Sequence, residues 1–460
     1  MKTQKKIVGA ILLLCSILVC KANNPPKVTN FKATVDKSNN TLVINYDLFD
    51  KEDSEIEVML KISDNNGNIY LIDANNSKGD IGFPVSVGKN KRITWSYDKN
   101  TFNPKTCTVK LVADDKYEID IEQLIKEVDT TRMKRDLQYI TGDRNNSNRK
   151  ARRHLKRVGN YIKNTFKANE LDSYFHKLKL SNDELNKIWN AKTGFDEVVE
   201  KGDKKHNIRN VVGSIQGELD EKKVFIITAH YDSYPGSPGM DDNASGVVGL
   251  LETMRILSKY KFSHTIKFIG FDKEEDGLVG SLSYVFGGGI KEDEQIGGVI
   301  NYDMIGIYST EPGSQYIPEG FDQLYPEVCE TIKKNKNRGD FVINTSNENS
   351  QELSKLFVNT AHTYVKDLKI ASLLAEGSGK YVPALAASDH ASFWYNRNAA
   401  LHIGEGGATR NPDIHTVKDG KNHLNLNYMF MSNIVKTTIA TFIKLADIQH
   451  STTVSTRVTR

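Results

Sequence analysis

Cysteine is scarce in this 460-residue chain: there are four, and two of them, Cys15 and Cys20, fall in the first 22 residues. The remaining pair, Cys107 and Cys329, is far apart, so no disulfide framework carries the fold, and both read as buried thiols. After the N-terminal run no segment approaches the ~20 consecutive apolar residues that a membrane-crossing helix needs. Net charge is lacking too. The formal +4 comes from Lys2, Lys5, Lys6 and Lys21, because residues 1–22 contain no acid, and 4 − 4 = 0 remains. A neutral chain gives no reason to expect a nucleic-acid partner. Internal repeats and low-complexity tracts are also missing.

What is present begins with a signal-like segment, residues 1–22. A Lys-rich start precedes the apolar run Ile7–Val19 and a polar stretch from Asn23, the pattern of a cleaved export signal. Ala22 suits the residue before the cut. Cys20 offers the alternative of lipidation and a membrane tether. The expected location is therefore outside the cytoplasm: periplasmic, secreted or lipid-anchored at the cell envelope.

Residues 23–115 alternate apolar and polar side chains in short runs: Val28–Val35, Leu42–Leu48, Ile56–Ile62, Ile69–Ile72, Arg92–Tyr97 and Cys107–Ala113. Turn clusters such as Asp64-Asn65-Asn66-Gly67-Asn68 separate them. This predicts a small β-sandwich-like accessory domain without catalytic residues, either a spacer or a module that binds a surface or partner.

Residues 116–460 change texture. Ile121, Leu124, Ile125 and Val128 recur at helical spacing, as do Leu155, Val158, Ile162 and Phe166. The basic stretch Arg149–Arg157 reads as the solvated face of the second helix. From Asn210 strands and helices alternate: strands at Val224–Ala229, His264–Phe271, Gly298–Asp303 and Ala399–Ile403, helices at Ala244–Tyr260, after Gly280 and at Leu426–Ala446. That order predicts an α/β fold, a mixed, largely parallel sheet with helices on both faces. Such sheets bind ligands beyond the carboxyl ends of their strands.

Five polar clusters fall at those strand ends: His230-Tyr231-Asp232, Met240-Asp241-Asp242-Asn243, Asp272-Lys273-Glu274-Glu275-Asp276, Asn301-Tyr302-Asp303 and Ile414-His415-Thr416. Each alone is an ordinary surface turn or cap. Independent surface charges have no reason to collect at one edge of a sheet.

Taken in order, His230-x-Asp232, Met240-Asp241-Asp242-Asn243-Ala244-Ser245-Gly246, Glu274-Glu275-x-Gly277-Leu278-x-Gly280-Ser281, Asp303, Ser388-Asp389-His390 and His415 resemble the secreted bacterial dinuclear-zinc aminopeptidases, in the superfamily of glutamate carboxypeptidase II. The resemblance covers about residues 120–446. It implies two Zn2+, one held by His230 and Asp303, the other by Glu275 and His415, with Asp242 bridging. It implies Glu274 as general base, Asp232 as support for His230, and Asp241 as a structural residue. Asp389 and His390, with nearby Tyr381, are expected to line the substrate site. Two zinc ions about 3.5–4 Å apart acidify a water and polarise a scissile carbonyl, and Glu274 would carry the water's proton to the leaving amine. Relatives place an oxyanion-steadying tyrosine where this chain has Leu385 or Ile414, so that role is unassigned. The expected activity is release of N-terminal residues from peptides. The residues leave open a carboxypeptidase or dipeptidase, for which Arg397 or Arg410 would hold a carboxylate. They also leave a zinc glutaminyl cyclase, disfavoured by the presence of His230, and a binding protein with an inactive peptidase domain, disfavoured by the complete ligand set.

Overall fold

The computed structural model describes residues 24–64, 66–67, 70, 72, 74, 76–99, 102–177, 180–193, 209–448 and 450–459. The signal-like segment 1–22, with Cys15 and Cys20, and residues 69 and 71 of the expected strand 69–72 lie outside these residues.

The N-terminal strands are β1 (Lys27–Asp36), β2 (Thr41–Phe49), β3 (Glu55–Ser63), β4 (Lys78–Gly79), β5 (Gly82–Ser86), β6 (Gly88–Ser96) and β7 (Thr108–Asp114). Along β2 the side chains of Leu42, Ile44, Tyr46 and Leu48 are buried, the period-2 pattern of a strand with one face on a core. Two antiparallel sheets enclose that core, one ordered β1-β2-β6-β4 and the other containing β7-β3-β5.

The second unit is an eight-stranded sheet. Its strands are β8 (Asp172–Lys177), β9 (Arg209–Ile215), β10 (Asp220–His230), β11 (His264–Phe271), β12 (Gln295–Tyr302), β13 (Val342–Ser346), β14 (Ile370–Leu374) and β15 (Ala400–Gly404). The order is β14-β13-β15-β12-β10-β11-β9-β8. The central β11, β10, β12 and β15 are parallel, while β9 and β13 run antiparallel to their neighbours β11 and β15. β10 is buried on both faces. Phe225, Ile227 and Ala229 pack into a core with helices Gly246–Leu257 and Tyr428–Ala446, while Val224 and Ile226 pack into one with helices Val279–Phe286 and His390–Tyr395. A strand sandwiched this way needs a continuous apolar run, and β10 has one.

The last strand, β16 (Ser451–Arg457), pairs antiparallel with β7 and so completes the second sheet of the N-terminal sandwich. Sequence reading placed this tail with the α/β unit. Its composition, STTVSTR, offers one apolar residue and no alternation, so its β-branched threonines gave no visible pattern. β4 and β5 were overlooked for similar reasons, β4 because it has two residues and β5 because Pro84 interrupts it. Cys107 and Cys329 are free and buried. Among the described residues no helix is long and apolar enough to cross a membrane.

Candidate metal centre

Because β10, β11, β12 and β15 are parallel, their carboxyl ends share one edge, and the polar clusters meet there. His230 is the last residue of β10 and is buried. Its Nε2 lies 3.3 Å from Asp303 Oδ1, just past β12, and 3.3 Å from Asp242 Oδ1. The other oxygen of Asp242 is 3.0 Å from His415 Nε2, which is also 3.1 Å from Glu275 Oε2. Asp242 thus stands between two sets of donors, His230 with Asp303 and Glu275 with His415. In each set the ligand atoms lie within 4.8 Å of one another. Glu274 Oε2 reaches within 3.9 Å of His230 Nε2.

Asp232 ties the first cluster to the third. It sits 3.3 Å from His230 Nδ1, and it accepts the backbone N–H groups of Glu274 and Glu275, both at 3.2 Å. One carboxylate therefore orients the imidazole and the acidic loop together. Lys273, Met304 and His415, each at or beside a member of the cluster, adopt left-handed φ of 58°, 54° and 60°. Non-glycine residues held there cost about 1–3 kcal/mol each, and such strain collects at functional sites.

So many buried carboxylates resist ionising together. Burial, with Asp242 nearby, pushes Glu275 up to about 8 although His415 opposes it. Burial raises Glu274 well above its ordinary value, against the pull of His230 and with the push of Glu275 and Asp303. Asp242 goes the other way: burial would raise it, but hydrogen bonds from both histidines hold it down. Those bonds lift His415 to about 10. Glu275 Oε1 is buried without a partner. An oxygen- and imidazole-rich cluster carrying this much excess negative charge fits divalent cations.

Three residues that hold the cluster in place escaped the sequence reading. Asp419 accepts the backbone N–H groups of Asp241, at 2.8 Å, and Asp242, at 3.1 Å. The one available signal was its place four residues after His415 in the same loop. Arg144 is fully buried and donates to the carbonyls of Tyr231, Pro238 and Gly239, fixing the loop between His230 and Asp242. It carries no periodicity that would mark it. Glu405 follows β15 and accepts the Ile307 N–H. Burial, then neighbouring Asp241, raises it well above the carboxylate range. Asp241 is structural, as expected: it accepts from the Gly306 N–H and the Asn411 amide, and burial pushes it to about 7.

The cluster opens on a cavity of about 630 Å³. Asp242, Glu274, Glu275, Asp303 and His415 form one end, and apolar side chains such as Phe321, Val328, Ile332, Ile343 and Leu373 form the rest. Three expected lining residues are not on its wall. Tyr381 is 67% exposed, Asp389 and His390 are buried, and none of the three lines the cavity. His390 Nε2–H donates to the Leu385 carbonyl at 2.9 Å, which turns the ring inward and leaves Ala384–Ala387 to face the cavity.

The sequence profile of peptidase family M28 matches residues 210–440. The chain belongs to peptidase family M28. YfbL of Escherichia coli K12 is 30% identical over 225 residues, 46% of this chain and 64% of that one. The aminopeptidase YwaD of Bacillus subtilis is 36% identical over 110 residues, 24% of each chain. The chain thus spans less than two thirds of the length of these curated relatives. Among solved structures, the LapA aminopeptidase of Legionella pneumophila superposes with a TM-score of 0.50 at 21% identity, covering 72% of this chain and 75% of that one. At that identity the likeness shows the fold alone.

Proposed function

We propose that the protein is a two-zinc aminopeptidase, releasing N-terminal residues from peptides. The observation that carries this reading is the sharing of Asp242 between the His230–Asp303 and Glu275–His415 pairs. One zinc would be held by His230 and Asp303, the second by Glu275 and His415, with Asp242 bridging. When bound, such ions acidify a water and polarise the scissile carbonyl. The remaining work falls to the chain. Glu274, outside both ligand sets, takes the water's proton at its carboxylate and delivers it to the departing amine nitrogen, and its burial favours a base that returns the proton. Asp232 keeps the His230 ring and the 274–275 backbone in register. Asp419 and Arg144 hold the Asp242 loop rigid, which keeps the reacting groups aligned. The apolar walls of the cavity exclude water.

An amine-terminal substrate suits this cavity better than a carboxyl-terminal one. Its wall contains no arginine or lysine among the described residues. Arg410, once a candidate carboxylate holder, is buried, and its guanidinium is bound to Gln315 Oε1 and to the carbonyls of Ile307 and Phe341. Arg397 lies outside the cavity. The acidic end is complementary to an ammonium group. A panel of free, N-acetylated and C-amidated peptides tests the assignment. The free and C-amidated members should be cut and the N-acetylated ones spared, and a chelator should abolish the cutting. Cleavage that needs a free carboxylate and ignores N-acetylation would make the protein a carboxypeptidase. Export, proposed from residues 1–22, is checked by cell fractionation.

A further inference from the structure

Three polar residues align across neighbouring strands, and two of them, Thr345 and His402, line the cavity. Thr345 of β13 is in register with His402 of β15, and His402 with Asn301 of β12. Residues paired across strands project to the same side. Asn301 is engaged, its amide donating to Ser388 Oγ at 2.8 Å. Three polar groups on the wall are likewise occupied. Gln315 bonds Arg410 and Thr409, Tyr325 donates to the Leu374 carbonyl, and Thr409 donates to the Gly406 carbonyl. His402 lines the cavity.

The His402 ring lies beside the Asp303 backbone. A β-carbon built on Gly404 would come within 2.9 Å of His402 Cε1, 3.1 Å of Nε2 and 2.4 Å of the Asp303 carbonyl oxygen. The Cε1–Nε2 edge therefore lies over the glycine at the end of β15, beside Asp303, in a space that any larger residue at 404 would fill. His390 backs the ring at 5.0 Å between centroids, held from behind by the Leu385 carbonyl. The result is an imidazole packed against His390, with its Cε1–Nε2 edge beside Asp303.

Hydrolysis of a peptide bond passes through a tetrahedral oxyanion. A donor already aimed at that oxygen in a dry site is worth ~10²–10³ in rate. We infer that His402 is a catalytic residue whose ring N–H donates to the oxygen of the scissile carbonyl as it gathers charge. The inference rests on the peptidase reading above. Imidazole keeps an N–H whether neutral or protonated, so the role needs no titration. No bond forms to His402. Its proton stays on the ring, and the electron pair returns from oxygen to carbon as the C–N bond breaks and Glu274 protonates the amine.

The test uses the zinc-loaded full chain and the variants His402→Leu and His402→Gln. It measures zinc content, kcat and KM on an aminoacyl-anilide, and calorimetric affinity for an aminophosphonate, whose tetrahedral oxygens imitate the charged intermediate. His402→Leu should keep its zinc, hold KM within about twofold, and lose ~10²–10³ in kcat with a comparable loss in phosphonate affinity. His402→Gln, which keeps a donor, should recover part of both. A packing role would not separate kcat from KM and would not be rescued by Gln. Undiminished kcat in His402→Leu, a loss confined to KM, unchanged phosphonate affinity or lost zinc each overturns the assignment while leaving the peptidase reading intact. If the unmutated protein turns nothing over, the peptidase reading fails first and this assignment falls with it.

Discussion

His230 and Asp303 stand at the ends of neighbouring parallel strands, whereas Glu275 and His415 come from loops. The first pair inherits the rigidity of the sheet: the His230 side chain is 1% exposed and is gripped by Asp232. The second does not: the His415 side chain is 42% exposed, on a loop whose backbone is left-handed at that residue. Its main support outside the cluster is Tyr234, stacked on the imidazole at 4.3 Å between centroids and 7° from parallel. The two seats offer similar donors, yet one is framed by hydrogen-bonded strands and the other by a ring contact at the protein's edge. Affinity depends on how well the ligands are pre-positioned as much as on which they are, so the seats should differ in how readily they give up metal.

Several variants would break or sharpen that contrast. The largest effect belongs to Asp242→Ala, which removes the residue common to both seats. Zinc measured after dialysis should fall from two equivalents to near none, with activity down at least ~10³-fold. Next come the histidines. His415→Ala should lose one equivalent and leave the other firmly bound, whereas His230→Ala should disturb both, since Asp232, which grips its ring, also holds the Glu275 backbone of the other set. Equal losses in the two would erase the proposed asymmetry. The smallest effect is that of Tyr234→Ala, which should weaken only the more weakly held zinc, by roughly tenfold in a chelator titration. An unchanged titration would mean that the stacked ring contributes nothing.

Much of this arrangement was legible in the sequence, because parallel strands buried on both faces have to be apolar and have to end on one edge. The run Val224–Ala229 announced β10, and with it the place of His230 and Asp232. Asp303 and the Glu274–Glu275 pair followed from the same logic. His415 did not. It lies in a loop with no periodic pattern, noted as the last polar cluster after a strand, and resemblance to a family gave it its role. Adjacency misled at Asp389 and His390: both precede or open a short helix, and the turn of that helix, not their polarity, keeps them off the cavity wall. His402 was passed over because within a strand a histidine reads as one more alternating residue, and its significance depends on Gly404 and on strands 50 to 100 residues away. β16 was illegible because its threonines pair through backbone at a sheet edge, with only Val454 reaching the sandwich core.

The most direct test of the central claim is a crystal structure of the zinc-soaked protein with anomalous data collected at the zinc edge. The account predicts two peaks, one contacted by His230 and Asp303, the other by Glu275 and His415, with one oxygen of Asp242 on each. A single peak, or a second peak that Asp242 does not touch, would contradict it.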